Sequence, residues 1–391
     1  MAVRQLCVGI ALWGAATGAA LAQDADTSAT EIKLGQTMPY SGPGSAYGII
    51  GKTDVGFFAK VNDEGGVNGR KVTLISQDDG YNPAKTVELT RQMVERDHVL
   101  AIFAALGTAP NSAIQPYLNQ KKVPQIIAAG ASRFADPDKF PWTISFYPSY
   151  QVEGEALAKY ALAKNPDAKI GIIFQNDDSG RDYVIGFKRG LGDKAASAIV
   201  ASVSYDLTDP TVKSQVEELH GKGADTVFDA STPKFAAQII RGIGELDWKP
   251  MHLLTSPATS IESALKPGGL DNSTGIVSTT FLKLPSAPQW AQDADVKEFT
   301  AFLAKYVPEA RPSDFNVAYG YMTASIMLKI LQLAGNDLSR EHVMAVATSL
   351  PPTTFPLLLP GITISSSPKN YVTFNTVRLQ RFDGAQWAPI D

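Results

Sequence analysis

Short apolar runs alternate along most of this chain with longer stretches whose apolar residues recur at helical spacing. Residues 32–38 predict a strand entering a turn at 40–44. Ile49, Val55, Phe58 and Val61 then follow the helical period, which predicts a helix over 45–64 that Gly65 and Gly66 stop. The same rhythm predicts strands at 71–76, 99–103 and 124–128, with helices at 83–97 and 109–121 between them. After Tyr150 it restarts. Helices at 151–164, 179–191, 210–222 and 233–246 precede strands at 169–174, 199–204, 226–229 and 252–255, and a further strand follows at 275–280. Strand–helix alternation is the signature of parallel sheets covered by helices on both faces. Two successive series predict two similar α/β lobes. Long helices at 293–306 and 314–334 and a third at 340–349 come next. The tail predicts strands at 371–374 and 377–382 before a turn at Asp383-Gly384.

The first 22 residues carry a different pattern. Arg4 gives a positive start, residues 6–16 form an apolar core, and Ala20-Leu21-Ala22 supplies a small-x-small cleavage site. This predicts a secretory signal peptide over 1–22 and a mature chain starting at Gln23. The apolar run is shorter than the ~20 residues needed to span a bilayer. Cys7 precedes the apolar core instead of ending it, which argues against a lipid anchor and leaves the mature chain without cysteine.

Composition narrows the class. At 391 residues, with 44% hydrophobic and 19% charged, the chain has material for two domains or one large α/β unit. Its net charge of −4 argues against a nucleic-acid partner or an anionic membrane surface. Four widely separated histidines and one cysteine supply no metal-ligand spacing, and no cofactor is expected. Gly51-Lys52-Thr53 resembles the end of a phosphate loop, but Ala46 stands where its first glycine belongs. Ser-x-x-Lys occurs three times, at Ser231, Ser263 and Ser366, a frequency that deprives it of meaning. The paired carboxylates Asp78-Asp79 and Asp177-Asp178 read as loop charges or helix caps. No catalytic constellation emerges, so no enzyme is expected.

What the chain does carry is a set of Gly-, Ser-, Thr- and aromatic-rich loops after strands, at 40–47, 106–108, 129–132, 146–150, 231–232 and 255–256. In open α/β sheets ligands bind beyond the carboxyl ends of the strands, where helix N-termini and hydroxyls suit a carboxylate. Several of these stretches resemble the type I periplasmic substrate-binding proteins of ABC transporters, in the leucine/isoleucine/valine-binding branch. The matching stretches run in order over nearly the whole mature chain. They include residues 32–48, Asn62-Asp63-Glu64-Gly65-Gly66-Val67-Asn68-Gly69-Arg70, Asp78-Asp79-Gly80-Tyr81-Asn82-Pro83, Gly107-Thr108-Ala109-Pro110-Asn111, Ala128-Ala129-Gly130-Ala131-Ser132 and Asp178-Ser179-Gly180-Arg181-Asp182-Tyr183.

The resemblance implies two Rossmann-like lobes with parallel-sheet cores joined by three hinge strands. The lobes would span 31–147 plus 279–370 and 148–278 plus 371–391. It also implies a periplasmic location, ligand capture by closure of the cleft, and an ABC-type membrane permease as partner. Carried over residue by residue, Tyr47 lines the first-lobe wall, while Gly107, Thr108, Gly130 and Ser132 hold the ligand carboxylate. Ala129, Tyr150, Ser179, Thr232 and Ser256 complete the expected ligand-binding set. Two departures narrow the ligand. The stretch Thr255-Ser256-Pro257-Ala258-Thr259 lacks the acidic residue that amino-acid binders set against the ligand ammonium, and Tyr150 replaces a second acidic position. Ser179 stands where the family often has tyrosine. A buried ammonium without a counter-charge is costly. The departures therefore resemble the aromatic-acid-binding members and favour a small aromatic carboxylate. A branched-chain amino acid or amide is the alternative within the class. A receptor sensor lobe and an exported hydrolase are the alternatives outside it.

Overall fold

The computed structural model describes residues 30–285 and 287–390; the leader expected at 1–22 lies outside them. The described residues build two sheets. The first contains β1 (Glu31–Met38), β2 (Lys71–Asp78), β3 (Ala101–Phe103), β4 (Gln125–Ala128) and β5 (Thr143–Ser145), all parallel, in the order β2-β1-β3-β4-β5. Helices α1 (Gly48–Asp63), α2 (Pro83–Glu95) and α3 (Thr108–Lys121) connect these strands. From β5 the chain passes into α4 (Tyr150–Lys164) and the second sheet.

That sheet is laid down by β6 (Ile170–Gln175), α5 (Asp178–Leu191), a short turn α6 (Ala195–Ala198), β7 (Ile199–Tyr205), α7 (Lys213–Gly221), β8 (Thr226–Ala230), α8 (Pro233–Glu245) and β9 (Met251–Leu254). Two further short turns, α9 (Lys266–Gly268) and α10 (Leu270–Ser273), lead to β10 (Val277–Thr280). Its order is β12-β11-β10-β9-β8-β6-β7, with the terminal hairpin β11 (Arg378–Phe382) and β12 (Trp387–Ile390) antiparallel on its edge. This is the α/β architecture of two parallel-sheet lobes that the alternating pattern predicts.

Two tail expectations need correction. Residues 371–374 form no strand. Their fixings are side-chain or single-backbone bonds: Thr373 Oγ1 donates to Ser145 O at 3.1 Å, Tyr371 OH donates to Pro141 O at 3.0 Å, and Ser365 N donates to Thr373 O at 3.0 Å. Conversely, β12 was not expected beyond the Asp383-Gly384 turn. Pro389 interrupts its strand pattern, yet a proline is tolerated on an edge strand, where one face of the ladder is unused.

After β10 the chain returns to the first lobe as α11 (Ala294–Tyr306), α12 (Phe315–Ala334) and α13 (Arg340–Ala347). α12 is buried along most of its length and largely apolar, with Gln332 and Leu333 exposed near its end. It lies against α1 closely enough that a Cβ on Gly320 would sit 3.0 Å from Ile50 O.

Beneath α12 lies Asp54 of α1, fully buried. Gln36 Nε2 donates to its carboxyl at 2.8 Å and Thr323 Oγ1 approaches at 3.5 Å. Burial pushes this carboxyl well above the usual carboxylate range, the two hydrogen bonds opposing the rise. An acid with a raised folded-state pKa keeps a proton that the unfolded chain releases. Stability therefore falls as pH climbs from the ordinary carboxylate range through the raised value. Asp54→Asn should gain in melting temperature relative to wild type between about pH 5 and about pH 8. A wild-type–variant gap that stays constant over that range would show that burial does not raise this group.

Candidate functional site

Loops at the carboxyl ends of strands from both sheets border a cavity whose water-accessible volume is about 100 Å³. The first sheet supplies Tyr47 after β1, Tyr81 after β2, residues 104–108 after β3 and Ala129 after β4. From the second come Gln175 and Ser179 around the end of β6, residues 230–232 at the end of β8, and Thr255 and Pro257 after β9. α12 contributes Phe315, Asn316 and Tyr319.

Six tyrosines, Tyr47, Tyr81, Tyr147, Tyr150, Tyr183 and Tyr319, dominate the wall. Tyr150 stacks on Tyr183 at 4.5 Å between centroids, and Tyr147 meets Tyr150 and Tyr319 edge-on at 5.7 and 5.3 Å. The stack depends on tight packing of α4 on α5. A Cβ on Gly186 would fall 2.1 Å from Gln151 O, so no larger residue lets the two helices approach this closely. Burial raises the pKa of these phenols, which stay neutral at physiological pH.

Behind the tyrosines Glu153 is fully buried. It accepts from Thr279 Oγ1 at 2.5 Å, Ser256 N at 3.2 Å and Tyr183 OH at 3.2 Å, while burial raises its carboxyl. Its bonds are spent on protein. It fixes Tyr183 directly and, through Ser256, Tyr147, whose hydroxyl lies 2.6 Å from Ser256 Oγ.

Among the described residues, none that lines the cavity is charged. Its electrostatics come instead from helix starts, for α3, α4, α5, α8 and α12 all begin on it. Ser149 caps α4, Asp177 caps α5 and Asp314 caps α12 through their side chains. Asp177 accepts from Ser179 N, Ser179 Oγ, Gly180 N and Gln175 Nε2, so its oxygens are engaged within its own turn, and burial raises its carboxyl. The starts of α3 and α8 have no side-chain cap. α8 opens with Pro233, which has no N–H, and Tyr205 OH accepts from Thr232 N at 2.9 Å. α3 opens with Gly107 and Thr108, both on the cavity, and its first turn closes only at Asn111 N, which donates to Gly107 O.

Two sheets thus flank a cleft whose described lining is uncharged. The periplasmic binding protein family matches residues 31–385. The chain belongs to that family. Among its relatives is the Leu/Ile/Val-binding protein homolog 8 of Brucella suis biovar 1, 24% identical over 87% of this chain and 85% of that protein. A branched chain amino acid ABC transporter protein from Thermus thermophilus, with bound valine, shares the fold at TM-score 0.81 and 18% identity, covering 93% of this chain and 96% of that one. A solute binding protein of an ABC transporter from Rhodopseudomonas palustris BisB5, in complex with 3,4-dihydroxy benzoic acid, does so at TM-score 0.77 and 20% identity, covering 92% and 96%.

Within this periplasmic binding protein, Tyr47, Gly107, Thr108, Ala129, Tyr150, Ser179 and Thr232 lie on the cavity. Gly130, Ser132 and Ser256 do not. Gly130 and Ser132 line a separate recess beside Arg189. The expectation that Ser132 faces a ligand carboxylate is corrected by an internal one: its N and Oγ donate to the Asp182 carboxylate at 2.5 and 3.1 Å. Gln151 Nε2 adds a third bond to Asp182 at 2.9 Å. Ser256 is buried behind Tyr147. Tyr81, Tyr147, Gln175, Tyr183, Ser231, Phe315, Asn316 and Tyr319 were not singled out beforehand as site residues. Tyr81, Tyr147 and Ser231 fall inside segments whose position after a strand was the available signal; Phe315, Asn316 and Tyr319 are indistinguishable in sequence from core-helix residues.

Gly107 is held at a φ of +96°, and an added Cβ would lie 2.7 Å from the Tyr81 ring. With ψ at 139°, an extended positive-φ conformation that is essentially glycine-only, Gly107→Ala should cost about 1–3 kcal/mol from the backbone conformation alone. Denaturant unfolding measures this, and an unchanged midpoint at unchanged slope would show that the loop re-forms without the positive-φ residue.

Proposed function

We propose that this binding protein captures a small carboxylate with an apolar, aromatic body and delivers it to an ABC-type membrane permease. The uncharged wall carries this reading. An α-amino acid would bury an ammonium with no available carboxylate beside it, at a cost of several kcal/mol. A carboxylate meets the uncapped start of α3, where Thr108 and the free amides of the first turn are the donors. Tyr47, Tyr150 and Tyr183 pack on the body of the ligand, and Ala129, Ser179 and Thr232 complete the enclosure. The leader at 1–22 exports the chain to the periplasm. The boundaries 31–147 plus 279–370 and 148–278 plus 371–391 divide it into the lobes that close on the ligand.

Closure has a protein-only component. Ser132 and Arg133 follow β4 of the first lobe, whereas Asp178 and Asp182 belong to α5 of the second. The Ser132–Asp182 bonds and the 3.1 Å Arg133–Asp178 ion pair therefore tie the lobes together away from the cavity. A ligand then adds to an equilibrium that these contacts already bias.

Calorimetry with benzoate, cinnamate and leucine tests the ligand class. Tight binding of an aromatic acid with no leucine signal is expected, and the reverse would replace the aromatic-acid reading with the amino-acid one. Tyr150→Ala should weaken acid binding roughly tenfold or more through lost apolar contact.

Solution scattering tests closure. Asp182→Ala should enlarge the ligand-free radius of gyration and weaken ligand only through the open–closed equilibrium, so saturating ligand should restore the compact curve. Superimposable ligand-free curves would remove Asp182 from the closing mechanism.

A further inference from the structure

Three residues on the cavity wall, Ser231, Thr232 and Asn316, carry a buried side-chain polar atom without a protein partner among the described residues. Ser231 and Thr232 stand together on the second lobe and Asn316 on the first. Ser231, at the end of β8, is 5% exposed, and its Oγ makes no hydrogen bond. Asn316, in the first turn of α12, is 2% exposed, and its Nδ2 makes none. Both residues line the cavity. Other buried polar atoms around the cavity are paired within the protein. Tyr147 OH lies against Ser256 Oγ, Tyr183 OH donates to Glu153, and Asn316 N donates to Asp314 at 2.9 Å. A buried donor without a partner is costly, and folded chains rarely keep one unless something else pairs it.

We infer that the ligand carries an oxygen substituent on its body, a hydroxyl or carbonyl in addition to its carboxylate, and that Ser231 and Asn316 select for it. The inference rests on the aromatic-carboxylate reading and extends it. The α3 amides that meet the carboxylate and Asn316 of α12 stand on the first lobe, while Ser231 stands on the second, so a second ligand oxygen is met from across the cleft. A ligand hydroxyl suits either side chain: it can accept from the Asn316 amide, and it can donate to or accept from the Ser231 hydroxyl. A methyl of similar size fills the same space and leaves both unpaired. Sites that hydrogen-bond a ligand hydroxyl reject the analogue lacking it far more strongly than apolar pockets discriminate by size.

The test is calorimetric titration of the full mature protein with benzoate, 3- and 4-hydroxybenzoate and 4-methylbenzoate, and with cinnamate and 4-hydroxycinnamate. At least one hydroxylated acid should bind tenfold or more tighter than both its parent and, for the benzoates, its methyl counterpart. Ser231→Ala and Asn316→Ala, each with an unchanged melting temperature, should cut that preference to threefold or less while moving the parent acid's Kd by less than threefold. Binding of the parent and methyl acids as tightly as the hydroxylated ones overturns the inference and leaves the carboxylate reading standing. A preference that survives both substitutions overturns the assignment to these residues. Failure of every acid, with leucine binding tightly, overturns both readings at once. The wild-type comparison needs no variant, so a misfolded substitution cannot shelter the proposal.

Discussion

Five helices begin on one enclosed space, and each start presents amides that need an electron-pair donor. That requirement shapes everything around the cavity. Three of the helices bring their own hydrogen-bond acceptor, Ser149, Asp177 or Asp314, one residue before the first turn. α8 avoids part of the demand with Pro233. α3 alone combines a glycine entry, no side-chain cap and a position on the wall. The positive ends of these dipoles substitute for the lysine or arginine that the lining lacks, so the cavity favours negative charge while remaining apolar over most of its surface.

The tyrosine wall depends on what lies behind it. Gly186 lets α4 and α5 approach until Tyr150 and Tyr183 stack, and Glu153 then locks Tyr183 and the Ser256–Tyr147 pair from the rear. A buried acid in a binding protein invites a reading as a ligand's counter-charge. Here its three donors come from the protein, and its elevated carboxyl reflects burial. Asp177 is similar, engaged by its own helix turn. The acids near the site support its walls.

Asp182 makes a related point from the opposite direction. The Ser132 amide and hydroxyl form a carboxylate-binding pair, as the loop chemistry suggested, but the carboxylate they hold is a side chain of α5. Chemistry was legible there; the identity of the partner was not. In β12 the failure was of the pattern itself, because Pro389 breaks a strand signal that an edge position tolerates. At 371–374 the pattern was strand-like, but the segment is fixed by Tyr371 and Thr373 side chains rather than by a ladder.

The sequence by itself determined the alternation of strands and helices, the two-lobed α/β class and the loops that border the cleft. Those features follow from apolar spacing and from glycine, proline and capping residues, which act over a few positions of chain. Tertiary structure decided the rest. It brought Tyr147, Tyr183 and Tyr319 together from three separate segments, set Asp182 against Ser132, and put Ser231 and Asn316 around one cavity. Each of those pairings depends on how helices and sheets pack across long sequence separations. No local pattern encodes such a distance, because the same side chains at the same spacing serve equally well in a core.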